Sequence, residues 1–383
     1  MGQQRSEVTK MRSISLDLAR GFMLLLIALA HAPLFLYVSE PGMISRPESV
    51  GILDILLNSI GEIFIDNRSR PLFAVLFGYG LVFMFDKQLS KGKSKIEARK
   101  VMKRRSFFLI LFGFILAVFI GGQDILMAYG SAGLLVGWLL LRDNKTLMTA
   151  TTIVTTVFIL YIPFLWGFLL EDNGSYGFSS EFSRNDYYLQ SFMEALVYFP
   201  YIPIFIHLLF PILPSVLIGI WFGRIHLLTN SHQQNKLKMI AIIGILISIL
   251  GALPFVFVGE LWGPSLFLAG VLYGIQVITG TVGGIGYAAL FGVLGNRIKE
   301  PGWVTNSINA LGRRSLTFFV FNEILLVILL SPVSLGLGGI LNNTGVTFVA
   351  ISIWILSVVT ASILEKYKIS GPLETLMRVL VYK

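Results

Sequence analysis

Apolar residues in this chain come in long runs rather than in stripes. Ten stretches, 14–37, 69–86, 106–121, 126–141, 147–168, 197–221, 239–258, 265–295, 308–330 and 346–364, are apolar nearly all round, and polar residues gather between them. A helix of about 20 such residues crosses a hydrocarbon core of about 30 Å. A transmembrane barrel would instead alternate over strands of about ten residues, and that pattern is absent. The runs predict an all-α transmembrane helical bundle of about ten spans, because in lipid a helix satisfies its own backbone polar groups. The run 265–295 is longer than a bilayer needs and holds Gly280, Gly283, Gly284 and Gly286, which predicts a kink or break within it.

Composition agrees: 55% of residues are hydrophobic and 13% charged, against roughly 25% charged in soluble domains. Charge adds an orientation. With the N-terminus on the cytoplasmic side, all of the 30 Lys and Arg except Arg46, Arg68, Arg70 and Arg184 lie in or beside cytoplasmic segments. That asymmetry predicts a multi-pass protein of the cell membrane with both ends inside. The net charge of +9 is then a topological signal and does not point to nucleic acid. Its densest part, 86–105, suits contact with anionic membrane lipids or docking of a phosphorylated donor. Ala28-Leu29-Ala30 resembles a signal-peptidase site, but Asp17 and Arg20 precede it and the apolar run continues past His31, so a retained first span is expected. The chain has no cysteine, which removes thiolate nucleophiles and thiolate metal ligands. With four histidines and no HExxH pair, no metal site is expected.

Candidate chemistry concentrates where polar groups interrupt the runs. Arg20 and His31 are eleven residues apart in the first span, about three turns plus roughly 20°, so they share a face about 16 Å apart along the axis. His31 suits a general base, since neutral imidazole titrates near neutral pH. Arg20 suits a phosphate contact through its fork of donors, oriented by Asp17 three residues earlier. Lys103, Arg104 and Arg105 open the third span and could serve the same anion. Asp124, in the short outer turn 121–124, lies near the expected level of His31. It either caps the next helix or orients the imidazole. Glu323 and Asn322 in the ninth span, and His207 in the sixth, are buried polar groups with a structural or substrate-contact role. The spacings Gly133/Gly137, Gly219/Gly223 and Gly270/Gly274 predict close helix packing. The acidic, amphipathic segment 39–68 is expected outside as a solvated cap, an interfacial helix or a segment dipping into the bundle. The loop 169–196 is expected outside as an ordered or acceptor-recognising loop.

Three ordered stretches resemble the YeiB-like bacterial membrane proteins. They are Arg12-Ser-Ile-Ser-Leu-Asp17-Leu-Ala-Arg20-Gly21 followed by His31, then Pro71-Leu-Phe-Ala-Val-Leu-Phe77-Gly78-Tyr79-Gly80 with Asp124 and Tyr129, and Gly312-Arg313-Arg314-Ser-Leu-Thr317 with Gly371-Pro372-Leu373-Glu374 and Arg378. The last group resembles the C-terminal domain of unknown function 418, which divides the chain into a membrane region 1–221 carrying Arg20 and His31 and a second, 222–383. The first-helix pair Arg20 and His31 is also similar to the motif of acyltransferase family 3. That likeness implies a membrane O-acyltransferase: acyl-coenzyme A donates from the cytoplasm, Arg20 with Lys103, Arg104 and Arg105 hold its phosphates, and His31 with Asp124 activates a hydroxyl of a glycan or lipid-linked acceptor. The competing expectation is a small-solute transporter, with Asp17, Arg20, His31, His207 and Glu323 along a path and the glycine-rich span broken.

Overall fold

The computed structural model describes residues 2–37, 40–178, 188–259 and 261–382, with side chains from Ile14 onward. Ser180 and Arg184 of the expected outer loop lie outside the described residues, as does the side chain of Arg12. The chain is almost wholly helical, and its one sheet among the described residues is the small antiparallel pair β1 (Pro41–Met43) and β2 (Arg46–Pro47). Among the described residues, seven helical segments are long and apolar enough to cross a membrane.

Helix α1 (Gly2–His31) lies at the centre. Its buried positions Ala19, Met23, Leu24 and Ile27 join Leu72, Leu76 and Tyr79 of α3 (Ser69–Leu89) and Phe318 of α13 (Ser315–Leu330). The same core includes Leu109 of α4 (Lys95–Ile115), Tyr129 of α5 (Leu126–Val136), Val216 of α9 (Ile212–Arg224) and Phe291 of α11 (Leu266–Arg297). One hydrophobic core therefore runs through both 1–221 and 222–383. A second cluster ties α6 (Asn144–Asn173) and α10 (Gln234–Val256) to α11 through Ile162, Trp166, Phe255 and Tyr273. A third closes the end of α1: Ala28, Ala32 and Phe35 pack on Leu326 and Leu330 of α13 and on Val346 and Ala350 of α14 (Asn343–Lys366).

Four expectations are revised. Helix α11 runs unbroken for 32 residues. Its glycines serve close packing instead: a Cβ on Gly284 would lie 2.7 Å from the Arg68 carbonyl oxygen, and one on Gly270 would lie 2.1 Å from that of Trp166. Backbones can meet at such distances only where no side chain intervenes. The expected span 197–221 is instead α7 (Tyr188–Tyr198), a short turn, α8 (Ile202–Leu209) and α9, broken where Pro211 precedes α9. A proline cannot donate into a continuing helix, which accounts for the break. The run 308–330 divides at Arg314 into α12 (Trp303–Arg313) and α13.

The fourth revision concerns the segment 39–68, and among its alternatives it touches the solvated cap alone. Its helix α2 (Ile52–Phe64) turns its polar face inward, burying Asp54, Asn58 and Glu62, and exposes Leu53, Leu56 and Ile60. A solvated cap would do the reverse. The inward groups are satisfied by protein. Asp54 accepts from the Thr344 backbone N–H at 2.9 Å and from its hydroxyl. Arg46 makes a fork to Asp66 at 2.7 and 3.0 Å. The fully buried Arg68 donates to the Ser248 hydroxyl and carbonyl and to the Glu62 carbonyl.

Candidate functional site

The polar residues of α1 face the bundle because the helix presents one stripe to two different cavities. Asp17, Arg20 and Met23 line an inner cavity of about 710 Å³, whereas Ala30, His31 and Leu34 line an outer one of about 260 Å³. Ile125 and Tyr129 line both. Tyr129 is buried; its hydroxyl donates to the Arg70 carbonyl at 2.8 Å, and its ring packs against Phe73 and Phe77 with centroids 4.2 and 5.9 Å apart. A single aromatic side chain, tied at its tip, thus stands between the two spaces.

In the outer cavity His31 Nδ1 lies 2.7 Å from Oε1 of Glu323. Glu323 is fully enclosed and sits on the buried stripe of α13 with Phe319, Leu326 and Leu330. Its second oxygen accepts the Gln123 backbone N–H at 3.1 Å. In the tautomer that donates from Nδ1 to this carboxylate, which can only accept when ionised, Nε2 is the ring nitrogen free to act as a base. Ala28 and Leu326, three residues from His31 and Glu323 along their helices, belong to the apolar cluster that also holds Val346.

Asp124 does not hold the imidazole. Its two oxygens accept from the backbone N–H groups of Leu126 and Met127, each at 2.8 Å, and so cap the first turn of α5. Of the two roles open to it from sequence, capping is the one it fills, although it lines the same outer cavity as His31. The carboxylate that meets His31 comes instead from α13. Sequence marked Glu323 as a buried acid, but nothing local indicates that the two helices face each other at this level.

In the inner cavity Arg20 pairs with Asp17 at 3.6 Å. Of Lys103, Arg104 and Arg105, which lie midway along α4, only Arg105 lines this space. Lys103 is exposed, and Arg104 donates to the Leu380 carbonyl of α15 (Pro372–Tyr382). Helical phase explains the split, since neighbours along a helix point about 100° apart. The structure adds Lys87, Arg313 and Arg378 to the lining, none of which the sequence reading assigned to a phosphate. A signal for Lys87 exists: Phe73, Leu76, Phe77, Gly80, Phe83, Met84 and Lys87 follow the i, i+3, i+4, i+7 stripe of α3 into the cavity.

His207 lies on α8 against α5, with Nε2 2.8 Å from the Ser131 hydroxyl, and lines neither cavity. Asn322 accepts from the Ser357 hydroxyl at 2.6 Å and joins α13 to α14. Among the described residues no group of three or more His, Cys, Asp or Glu is placed to hold a metal ion.

Comparison with known proteins places the C-terminal part of the chain. Residues 222–383 match the model of the family described as "Protein of unknown function (DUF418)". The uncharacterized protein YxaH of Bacillus subtilis (strain 168) is 30% identical over 179 residues, which is 45% of this chain. The chain thus covers 43% of that relative's length.

Proposed function

We propose that this protein is an integral membrane O-acyltransferase that carries an acyl group from acyl-coenzyme A on the cytoplasmic side to a hydroxyl of a glycan or lipid-linked acceptor on the outer side. One observation carries the reading. Arg20 and His31, on a single helix, open into two cavities that share a wall at Ile125 and Tyr129, the first cavity rich in cations and the second holding a histidine–carboxylate pair.

In this reading the donor's phosphates lie against the inner cations and the acyl thioester reaches past Tyr129. Nε2 of His31 takes the proton of the acceptor hydroxyl as its oxygen attacks the thioester carbonyl carbon. The C–O bond forms, the C–S bond breaks, and the departing thiolate takes the proton back from the imidazolium. Glu323 stabilises that cation and fixes the ring, as a carboxylate does behind a catalytic histidine. A solute transporter draws on the same pair of cavities, but the discontinuous glycine-rich helix on which that expectation leaned is continuous.

The test is transfer from labelled acetyl-coenzyme A to a surface-glycan fraction by the purified protein. His31→Ala is expected to lower turnover about 10²–10⁴-fold while donor binding persists. Arg20→Ala is expected to weaken donor binding instead, with Arg20→Lys intermediate because it keeps the charge and loses the fork. Solute uptake without transferase activity in the parent protein would replace this reading with the transporter.

A further inference from the structure

The inner cavity has more positive charge than its own carboxylates can answer. Of its two acids, Asp17 pairs with Arg20, and Glu374 is committed elsewhere. The oxygens of Glu374 accept from the backbone N–H groups of Leu316 and Thr317, at 2.8 and 3.1 Å, and from the Thr317 hydroxyl at 2.5 Å. That clasps the start of α15 to the first turn of α13, where a carboxylate also meets the favourable end of the helix dipole. A second tie, from Arg104 to the Leu380 carbonyl at 2.8 Å, fixes the far end of α15 to α4. Between the two ties, Glu374, Met377, Arg378 and Val381 form an i, i+3, i+4, i+7 stripe along the cavity. Arg313, also at the cavity, is occupied by Glu365 at 2.9 Å. Among the described residues Lys87, Arg105 and Arg378 pair with no carboxylate.

We propose that α15 is one wall of a binding site for a phosphate-bearing ligand, in which Arg378, with Lys87 and Arg105, contacts phosphate and Glu374 positions the helix. Lys87 and Arg378 are exposed at the rim, and Arg105 is deeper, its guanidinium 6.0 Å above the Phe77 ring. Cations converging on a low-dielectric cleft focus the field and draw in an anion, and a volume of about 710 Å³ suits a nucleotide-sized group. The inference rests on the donor reading above and deepens it. The phosphates would sit between α3, α4 and α15, so the C-terminal helix belongs to the donor site although it is remote in sequence from Arg20 and His31.

The experiment measures binding of coenzyme A, and separately of adenosine 3′,5′-bisphosphate, to the full chain in nanodiscs of neutral phosphatidylcholine. Arg378→Ala is expected to raise both dissociation constants about tenfold, the effect of losing one charge-assisted hydrogen bond, with Arg378→Lys in between. The two ligands should lose affinity in the same ratio, because the contact is to phosphate and not to the acyl arm. Glu374→Ala should weaken binding as much, and Glu374→Gln, which keeps an acceptor for the two N–H groups, should restore most of it. That rescue separates positioning from loss of the fold. If the parent binds coenzyme A and Arg378→Ala binds it equally well, the wall is wrong and the donor reading stands. If the parent binds neither nucleotide, but retains phosphatidylglycerol that Arg378→Ala releases, the anion site stands. Its occupant is then a lipid headgroup, and the donor reading falls. If no anion binds, both fall.

Discussion

At the scale of single residues, Glu323 and Asp124 make opposite demands. Glu323 lies 2.7 Å from Nδ1 of His31, and in the proposed transfer its charge offsets that of the imidazolium. Asp124 acts as an acceptor, taking one backbone N–H on each oxygen; asparagine keeps one of these two acceptors, enough for an ordinary helix cap. Glu323→Gln is therefore expected to lower acyl transfer at least a hundredfold, as loss of the carboxylate behind a catalytic histidine does. Asp124→Asn should remain within a few-fold of the parent. Turnover of the two purified variants decides this, and equal losses would return Asp124 to the role of orienting His31. The type and depth of these residues are legible in the sequence. Which carboxylate meets the imidazole is not, since that depends on how α1 and α13 are rotated against each other.

At the scale of elements, close helix crossings leave room for glycine at some positions and for more at others. A Cβ on Gly312 would stand 1.8 Å from the Asp17 carbonyl oxygen, so Gly312→Ala must push α12 away from α1. Overpacking of this kind costs about 1–3 kcal/mol or more. Gly80 lies in the middle of α3 beside the inner cavity, and the nearest atom to an added Cβ is Nη2 of Arg20 at 3.5 Å. Gly80→Ala should therefore be neutral or stabilise by about 0.5–1 kcal/mol through helix propensity. Thermal unfolding of the detergent-solubilised pair checks both signs.

The start of α4 carries a different kind of restraint. Ser94 and Glu97 form a reciprocal capping box, and hydrogen bonds from the Ser94 backbone N–H and hydroxyl hold the Glu97 carboxyl below its usual pKa. A carboxylate with a depressed pKa stabilises its helix above the unfolded value, about 4.3, and that contribution disappears as pH falls through the folded value. Amide exchange over 95–99, normalised for intrinsic rates, should lose protection on acidification in the parent. Glu97→Gln should show a flatter profile, and an unchanged profile would remove the cap from the account of this helix.

At the scale of the whole molecule, the two cavities and the partition between them define sidedness. The absence of cysteine permits single-cysteine reporters. Ser45 is exposed at the outer cavity, and Gly80 lines the inner one with room for a side chain. An impermeant thiol reagent added to intact cells should label Ser45→Cys and spare Gly80→Cys. In the Tyr129→Ala background, Gly80→Cys should become reactive from outside, because the ring that separates the two spaces is gone. Labelling of Gly80→Cys from outside with Tyr129 intact would invert the assigned orientation. Continued protection in the Tyr129→Ala background would mean that Ile125 and its neighbours alone close the path.

Sequence alone determined what depends on composition and on spacing along one helix. The runs of apolar residues specify a helical membrane bundle, because the bilayer leaves few other ways to satisfy a backbone. The shared face of Arg20 and His31 follows from helical phase, and the small-residue pairs at Gly219/Gly223 and Gly270/Gly274 mark crossings where a Cβ would collide with the facing helix. Tertiary structure decided everything that needs two elements at once. It paired His31 with Glu323 across 292 positions and left Asp124 to its cap. It turned α2 polar side inward, kept α11 whole, and brought Arg378 to the cavity of Arg20. Local periodicity states which face of a helix is unusual. Only packing states what that face meets, because rotation and depth are set by the fit of many side chains together rather than by any one segment.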